Sequence, residues 1–168
     1  MSKYKNVIIV NDKDEVIGAM NMIEAKNKNI LRRAVRVFVF NKRGQILLQR
    51  RSKDVFHPLL LDQSVGGHVD EGETYQIAAA REMKEELGIE PPFLEEIIVS
   101  YRTRCHFNAI YRTVIDNELS IPFNTKEVSE VIWFKPIELT EKIIATPEEF
   151  TESFLIIWQE LRDKIIPS

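Results

Sequence analysis

The chain has 168 residues, 44% of them hydrophobic, with a formal net charge of −3 and one cysteine, Cys105. That length allows one domain with a proper core and is too short for two comfortable ones. The small negative charge excludes a general attraction to nucleic acid polymers or anionic membranes, and a single cysteine excludes an internal disulfide and fits a reducing compartment.

The opening, MSKYKNVIIVNDKDE, holds an apolar run of only four residues, so neither a secretory signal nor a membrane span is expected, and a cytoplasmic protein is. Asn6 to Val10 and Val16 to Met20 are short β-type runs around the polar cluster Asn11 to Glu15, which predicts a hairpin. Asn21 to Ile30 reads as a short helix. Ala34 to Phe40 and Gln45 to Gln49 flank Asn41-Lys42-Arg43-Gly44, giving a second and more deeply buried hairpin for the central sheet. Arg51 to Pro58 is polar and ends in proline, a loop before the short run Leu59 to Asp62. Ser64-Val65-Gly66-Gly67 follows, its glycines permitting tight or left-handed backbone.

Asp70 to Glu73 makes a turn, Thr74 is a fair N-cap, and the helix runs to Leu87, where Gly88 stops it. At about 100° per residue, Glu82, Glu85 and Glu86 share one narrow stripe, while Ile77, Ala80, Met83 and Leu87 form an opposite, apolar one. Like charges at this spacing repel by roughly 0.2–0.5 kcal/mol per pair, so the helix gains nothing locally from them; a divalent cation would reverse the sign. Farther on, Leu94 to Tyr101, Phe107 to Ile115 and Val128 to Phe134 read as strands, and Glu138 to Ala145 and Glu149 to Ile165 as helices. In the last, Phe154, Ile157, Trp158, Leu161 and Ile165 form a core-facing stripe. The order suggests a mixed sheet covered on both faces, an α/β/α sandwich, with residues 1–30 as a hairpin extension and 31–168 as the main domain.

A solvated helix face would explain three glutamates alone. The stretch as a whole, Gly67, Glu73 and then Arg81-Glu82-Met83-Lys84-Glu85-Glu86-Leu87-Gly88-Ile89, resembles the Nudix box, G-x5-E-x7-R-E-U-x-E-E-x-G-U, at every fixed position. Chance would produce those seven fixed residues about once in 10⁸ registers. The resemblance extends from about Leu31 to Glu141 and implies a Nudix-like α/β/α sandwich with the box at the mouth of a cleft.

Carboxylates without a histidine–cysteine cluster suit a hard cation, Mg²⁺ or Mn²⁺, better than zinc or copper. Such an ion bridging carboxylates to a small diphosphate-containing substrate points to diphosphate hydrolysis. The resemblance implies Glu82, Glu85 and Glu86 as metal ligands, Glu82 and Glu86 being favoured for direct ligation. Gly67 is a further candidate through its carbonyl, and Arg81 is expected to fix a neighbouring carboxylate such as Glu73. Glu127 or Glu130 is a candidate for assisting the chemistry. Arg50 and Arg51 are candidate contacts to a substrate phosphate, with an exposed basic turn as the plain alternative. His68 lies inside the box beside the glycines; His57 and His106 receive no role.

The N-terminal half also resembles the Nudix branch of type 1 isopentenyl-diphosphate isomerase. That resemblance calls for a catalytic cysteine near Gly66, which has no side chain, and for a metal-ligand histidine where Arg32 stands; His68 matches another. The reading is therefore an isomerase-like scaffold with hydrolase machinery, acting on a nucleoside diphosphate derivative or a related small diphosphate. The alternatives are the isomerase itself and a non-catalytic nucleotide-binding module. Whether the opening hairpin mediates a homodimer is left open.

Overall fold

Ten residues from Arg32 to Asn41 form β3, and four of the other eight described strands pair with it directly. In this computed structural model, which describes residues 5–116 and 120–167, β1 (Asn6–Val10) and β2 (Val16–Asn21) make the opening hairpin, with α1 (Met22–Asn27) after it. The first four residues of the opening segment lie outside the described ones. The remaining elements are β4 (Ile46–Arg51), β5 (Leu61–Asp62), β6 (Val65–His68), α2 (Tyr75–Leu87), β7 (Glu95–Arg102), β8 (His106–Ile115), β9 (Val128–Phe134), α3 (Pro136–Ala145) and α4 (Glu152–Ile165).

Strand β8 runs parallel to β3 along its whole length, from Arg32 opposite His106 to Asn41 opposite Ile115. The other edge of β3 is shared: β1 meets it at Ile9–Arg32, β6 pairs from Ala34–His68 to Val37–Val65, and β4 touches it only at Phe40–Ile46. The second hairpin is therefore closed at its turn and forked below it. Strand β4 leaves the fork to pair with β5 and β9. Ser64 closes the fork: its buried Oγ accepts from Val39 N at 2.8 Å and donates to the Leu47 carbonyl, satisfying one backbone group from each diverging strand.

Alternation along β3 sends successive side chains to opposite faces. Val35, Val37 and Val39 pack with Leu47, Ala79, Met83 and Leu87 under α2. Phe38 and Phe40 pack with Ile46, Leu48, Leu139, Phe154 and Trp158 under α3 and α4. Both faces are covered, so the sandwich expected from sequence is observed. Each large apolar side chain fully buried there contributes about 1.5–3 kcal/mol. The opening hairpin is tied in by Asp14, which binds Arg33 Nε at 2.8 Å and Tyr75 Oη at 2.9 Å.

The box helix is capped as expected. Thr74 Oγ1 accepts from Ile77 N at 3.3 Å, and Gly88 adopts φ 68°, a left-handed cap. Two local expectations need correction. Ile77 is exposed, and the buried side of α2 comprises Ala78, Ala79, Met83, Leu87 and Glu86 itself, so the acidic stripe adjoins the apolar one instead of opposing it. Gly66 and Gly67 lie in β6 and are not among the positive-φ glycines; what matters there is the missing Cβ. The C-terminal helix starts at Glu152, N-capped by Thr151, after a 3₁₀ turn at Pro147–Glu149.

Candidate active site

Arg81 is the organising side chain. Its Nε and Nη2 take the two oxygens of Glu73 at 2.7 and 2.9 Å, a bidentate pair. Nη2 also donates to the His68 carbonyl at 3.0 Å, while Nη1 reaches Glu82 Oε1 at 2.8 Å and Glu85 Oε2 at 3.1 Å. Burial alone would lower its pKa, but the Glu73 hydrogen bonds and the Glu82 charge raise it, so the guanidinium is a fixed cation. The contact expected between Arg81 and Glu73 is present.

Glu86 reaches the fork from below. It is 5% exposed, and its Oε2 accepts from Gln49 Nε2 at 2.8 Å and from Gly66 N at 3.2 Å. The Glu82 carboxylate lies where a Cβ on Gly67 would be, closer than real contacts allow; the glycine makes the space. Burial pushes the Glu82 carboxyl up to about 7 despite Arg81, and burial together with the Glu82 charge pushes Glu86 well above the usual carboxylate range. Glu127 is half-buried and also raised, by burial and by Glu85. Its charge acts on both Glu82 and Glu86. Glu85 points outward, its side chain 46% exposed. Glu130 pairs with Arg50 Nε at 3.0 Å.

Among the described residues, no three histidine, cysteine or acidic side chains stand as a ready-made metal cage. Arg81 holds Glu82 and Glu85, and Gln49 with Gly66 N holds Glu86. The pair Glu82–Glu86 nevertheless fits a dication chemically. The Glu82 charge raises the buried Glu86 carboxyl, hard oxygen donors are the ligands this pair offers, and the space against Gly67 is kept clear for Glu82.

On the other face of β6 the side chains turn basic. Register places Arg32, Arg36, His68, His106 and Asn108 on one side of β3, β6 and β8. Arg32 Nε donates to His68 Nε2 at 3.1 Å, and that nitrogen lies 3.2 Å from His106 Nε2. Burial first, then Arg32 and Arg36, lowers His68 to about 3; burial and the His68 charge depress His106 as well, so both imidazoles are neutral at ordinary pH. Arg51 acts electrostatically on Glu127 and on Arg36 while binding Asp62 Oδ2 at 3.3 Å and the Phe56 carbonyl at 2.6 Å. Arg50 is turned toward Glu130 and the Leu59 carbonyl.

Gln49, Arg36, Gln63 and Asn108 were not singled out from sequence, and His106 was given no role. Gln49 carried a faint signal, a polar residue in the apolar run ILLQ. His106 and Asn108 carried none, because only the parallel pairing of β3 with β8, residues more than seventy apart in sequence, brings them in.

Comparison with known proteins agrees with this architecture. The NUDIX domain family model matches residues 30–154, and the chain belongs to the Nudix family. It is 30% identical over 165 residues to an isopentenyl-diphosphate Delta-isomerase of Pectobacterium atrosepticum, covering 94% of this chain and 91% of that one. It is 35% identical over 141 residues to an uncharacterized Nudix hydrolase of Nostoc, covering 79% and 82%. A crystal structure from Deinococcus radiodurans superposes with a TM-score of 0.75 at 32% identity, covering 84% of this chain and 90% of that one. The chain is thus an enzyme of the Nudix hydrolase class, a class that works with divalent metal ions. No helix among the described residues is long and apolar enough to cross a membrane.

Proposed function

We propose that this enzyme hydrolyses the diphosphate linkage of a nucleoside diphosphate derivative or a related small diphosphate, using Mg²⁺ or Mn²⁺, in the cytoplasm. The observation that carries the reading is the Glu82–Glu86 pair, a half-buried and a buried carboxylate beside each other at the forked sheet, both pushed up by burial. Glu82 and Glu86 would hold the ion, with Glu85 and the Gly67 carbonyl as further ligands. When bound, the ion neutralises charge on the diphosphate oxygens and acidifies water. Arg81 acts by position, keeping Glu82 and Glu73 in place. Glu127, with no arginine in ion-pair contact among the described residues, accepts the water proton. The water oxygen bonds to one phosphorus as the bridging P–O bond breaks, and the departing phosphate keeps the bridging electron pair. Arg51 meets a substrate phosphate more readily than Arg50, which faces Glu130.

The similarity to an isopentenyl-diphosphate isomerase keeps a second reading in view. Against it, a cysteine at position 66 would place its Cβ inside 3.0 Å of both Gln63 Nε2 and Arg36 Nη1. The test is phosphorus NMR of a diphosphate panel with either metal, wild type against Glu86→Gln. Metal-dependent release of a monophosphate or phosphate, lost in the folded variant, is the expected result. Unchanged turnover in Glu86→Gln contradicts the site, double-bond migration without phosphate release favours the isomerase, and binding without any turnover favours a nucleotide-binding module.

A further inference from the structure

Behind Gly66, on the face opposite Gly67, the structure gathers positive charge without a matching negative one, Arg32 being buried and Arg36 half-buried. Arg32 is 4% exposed, and its donors go to the His68 imidazole and to the Ile30 carbonyl at 2.8 Å. Arg36 gives its Nε to Asn108 Oδ1 at 3.2 Å. Among the described residues, neither guanidinium has a carboxylate within ion-pair distance; Asp62, Glu82 and Glu86 act on Arg36 only through their fields. Gln63 is 0% exposed, and neither its amide nitrogen nor its amide oxygen has a hydrogen-bond partner. That amide and Arg36 Nη1 converge on one spot, the space a Gly66 side chain would fill, where Arg36 Nη1 would be 2.9 Å from a Cβ.

Buried cations and buried amides are normally paired, because each unpaired group forfeits its hydration. Here the unpartnered Gln63 amide and Arg36 Nη1 share the space that Gly66 leaves by lacking a side chain, and Arg32 stands four residues back on the same face of β3. A tetrahedral phosphate dianion matches both the charge and the fork geometry of arginine. We propose that Arg32, Arg36 and Gln63 form a subsite for a phosphate group of the substrate, separate from the diphosphate oxygens gathered at Glu82 and Glu86, with Asn108 as the residue that positions Arg36. Resting on the hydrolase reading, this names the substrate class: a diphosphate that carries a further phosphate.

The test is calorimetric titration of inorganic phosphate into the full chain in EDTA, so that no metal contributes. Wild type is expected to bind one phosphate, Glu86→Gln to bind it at least as well, and Arg36→Met to bind it at least about tenfold more weakly. If Arg36→Met fails to fold by circular dichroism, Gln63→Leu replaces it, with a weakening of about threefold or more. Absence of binding by wild type at about 10 mM phosphate overturns the proposal. So does equal binding by the folded Arg36 or Gln63 variant, or loss of binding in Glu86→Gln, which would place the anion on the carboxylate side. Because this readout needs neither metal nor turnover, its failure is separable from failure of the hydrolase assignment.

Discussion

Placing a carboxylate in the middle of a helix's buried face costs stability, and Glu86 meets that cost with two donors, Gln49 Nε2 and Gly66 N. Gly67 performs the complementary service for Glu82 by leaving room for it. A Gly67→Ala change therefore acts on the far end of one flexible side chain and not on backbone. The expected outcome is a fold whose melting temperature stays within a few degrees of wild type and a turnover reduced by about 100-fold or more, measured on whichever diphosphate the panel identifies. Full activity in that variant would show that Glu82 need not occupy the space. The box residues themselves were legible, since their identities and spacing are local. That Glu86 is buried while Ile77 is exposed was not legible, because a helical wheel ranks residues by polarity and cannot see that the sheet beneath is forked.

The fork is the element that turns a covered sheet into a site. Ser64 is its only described side-chain staple between Val39 N and the Leu47 carbonyl, and Ser64→Ala strands both groups in a dry interior. A loss of about 1–3 kcal/mol in urea unfolding is expected, against near-neutrality if water enters. At the other end of the box, Gly88 sits at φ 68° with a Cβ position 2.7 Å from the Pro122 carbonyl. Gly88→Ala suffers both backbone strain and that contact, and a loss of at least about 1 kcal/mol is expected, tested by the same unfolding assay. These caps were readable because Thr74 and Gly88 act within one turn of the helix. The forking of β3 from β4 was hidden: Asn41 to Gly44 specifies the turn, but the divergence is set by β6 and Ser64, more than twenty residues later.

For the whole molecule, the carboxylate pair makes stability depend on pH in an unusual sense. Glu82 and Glu86 both have folded pKa values above the ordinary 4.5, through burial first and neighbouring charge second, Glu82 reaching about 7. The native state then holds protons that the unfolded chain has released. Their stabilising contribution is complete below the unfolded value and is lost as pH rises through the folded one. The depressed imidazoles His68 and His106 act oppositely, losing stability as pH falls below 6.5 toward their folded values. Comparing wild type with Glu86→Gln cancels the histidines. In EDTA, the melting temperature of wild type is expected to fall relative to that variant as pH rises above the ordinary carboxylate value of 4.5, and added Mn²⁺ to reverse the fall; parallel curves would show that Glu86 is not strained when charged. The sandwich itself was readable from the order and periodicity of the elements, whereas the basic face of β6 was not, because Arg36, Gln63 and Asn108 meet only through long-range strand pairing.

The most direct measurement is anomalous diffraction at the manganese edge from a crystal soaked with Mn²⁺ and pyrophosphate. A single strong peak between the carboxylates of Glu82 and Glu86, absent in Glu86→Gln, is expected. A peak elsewhere, or none beside that pair, would contradict it.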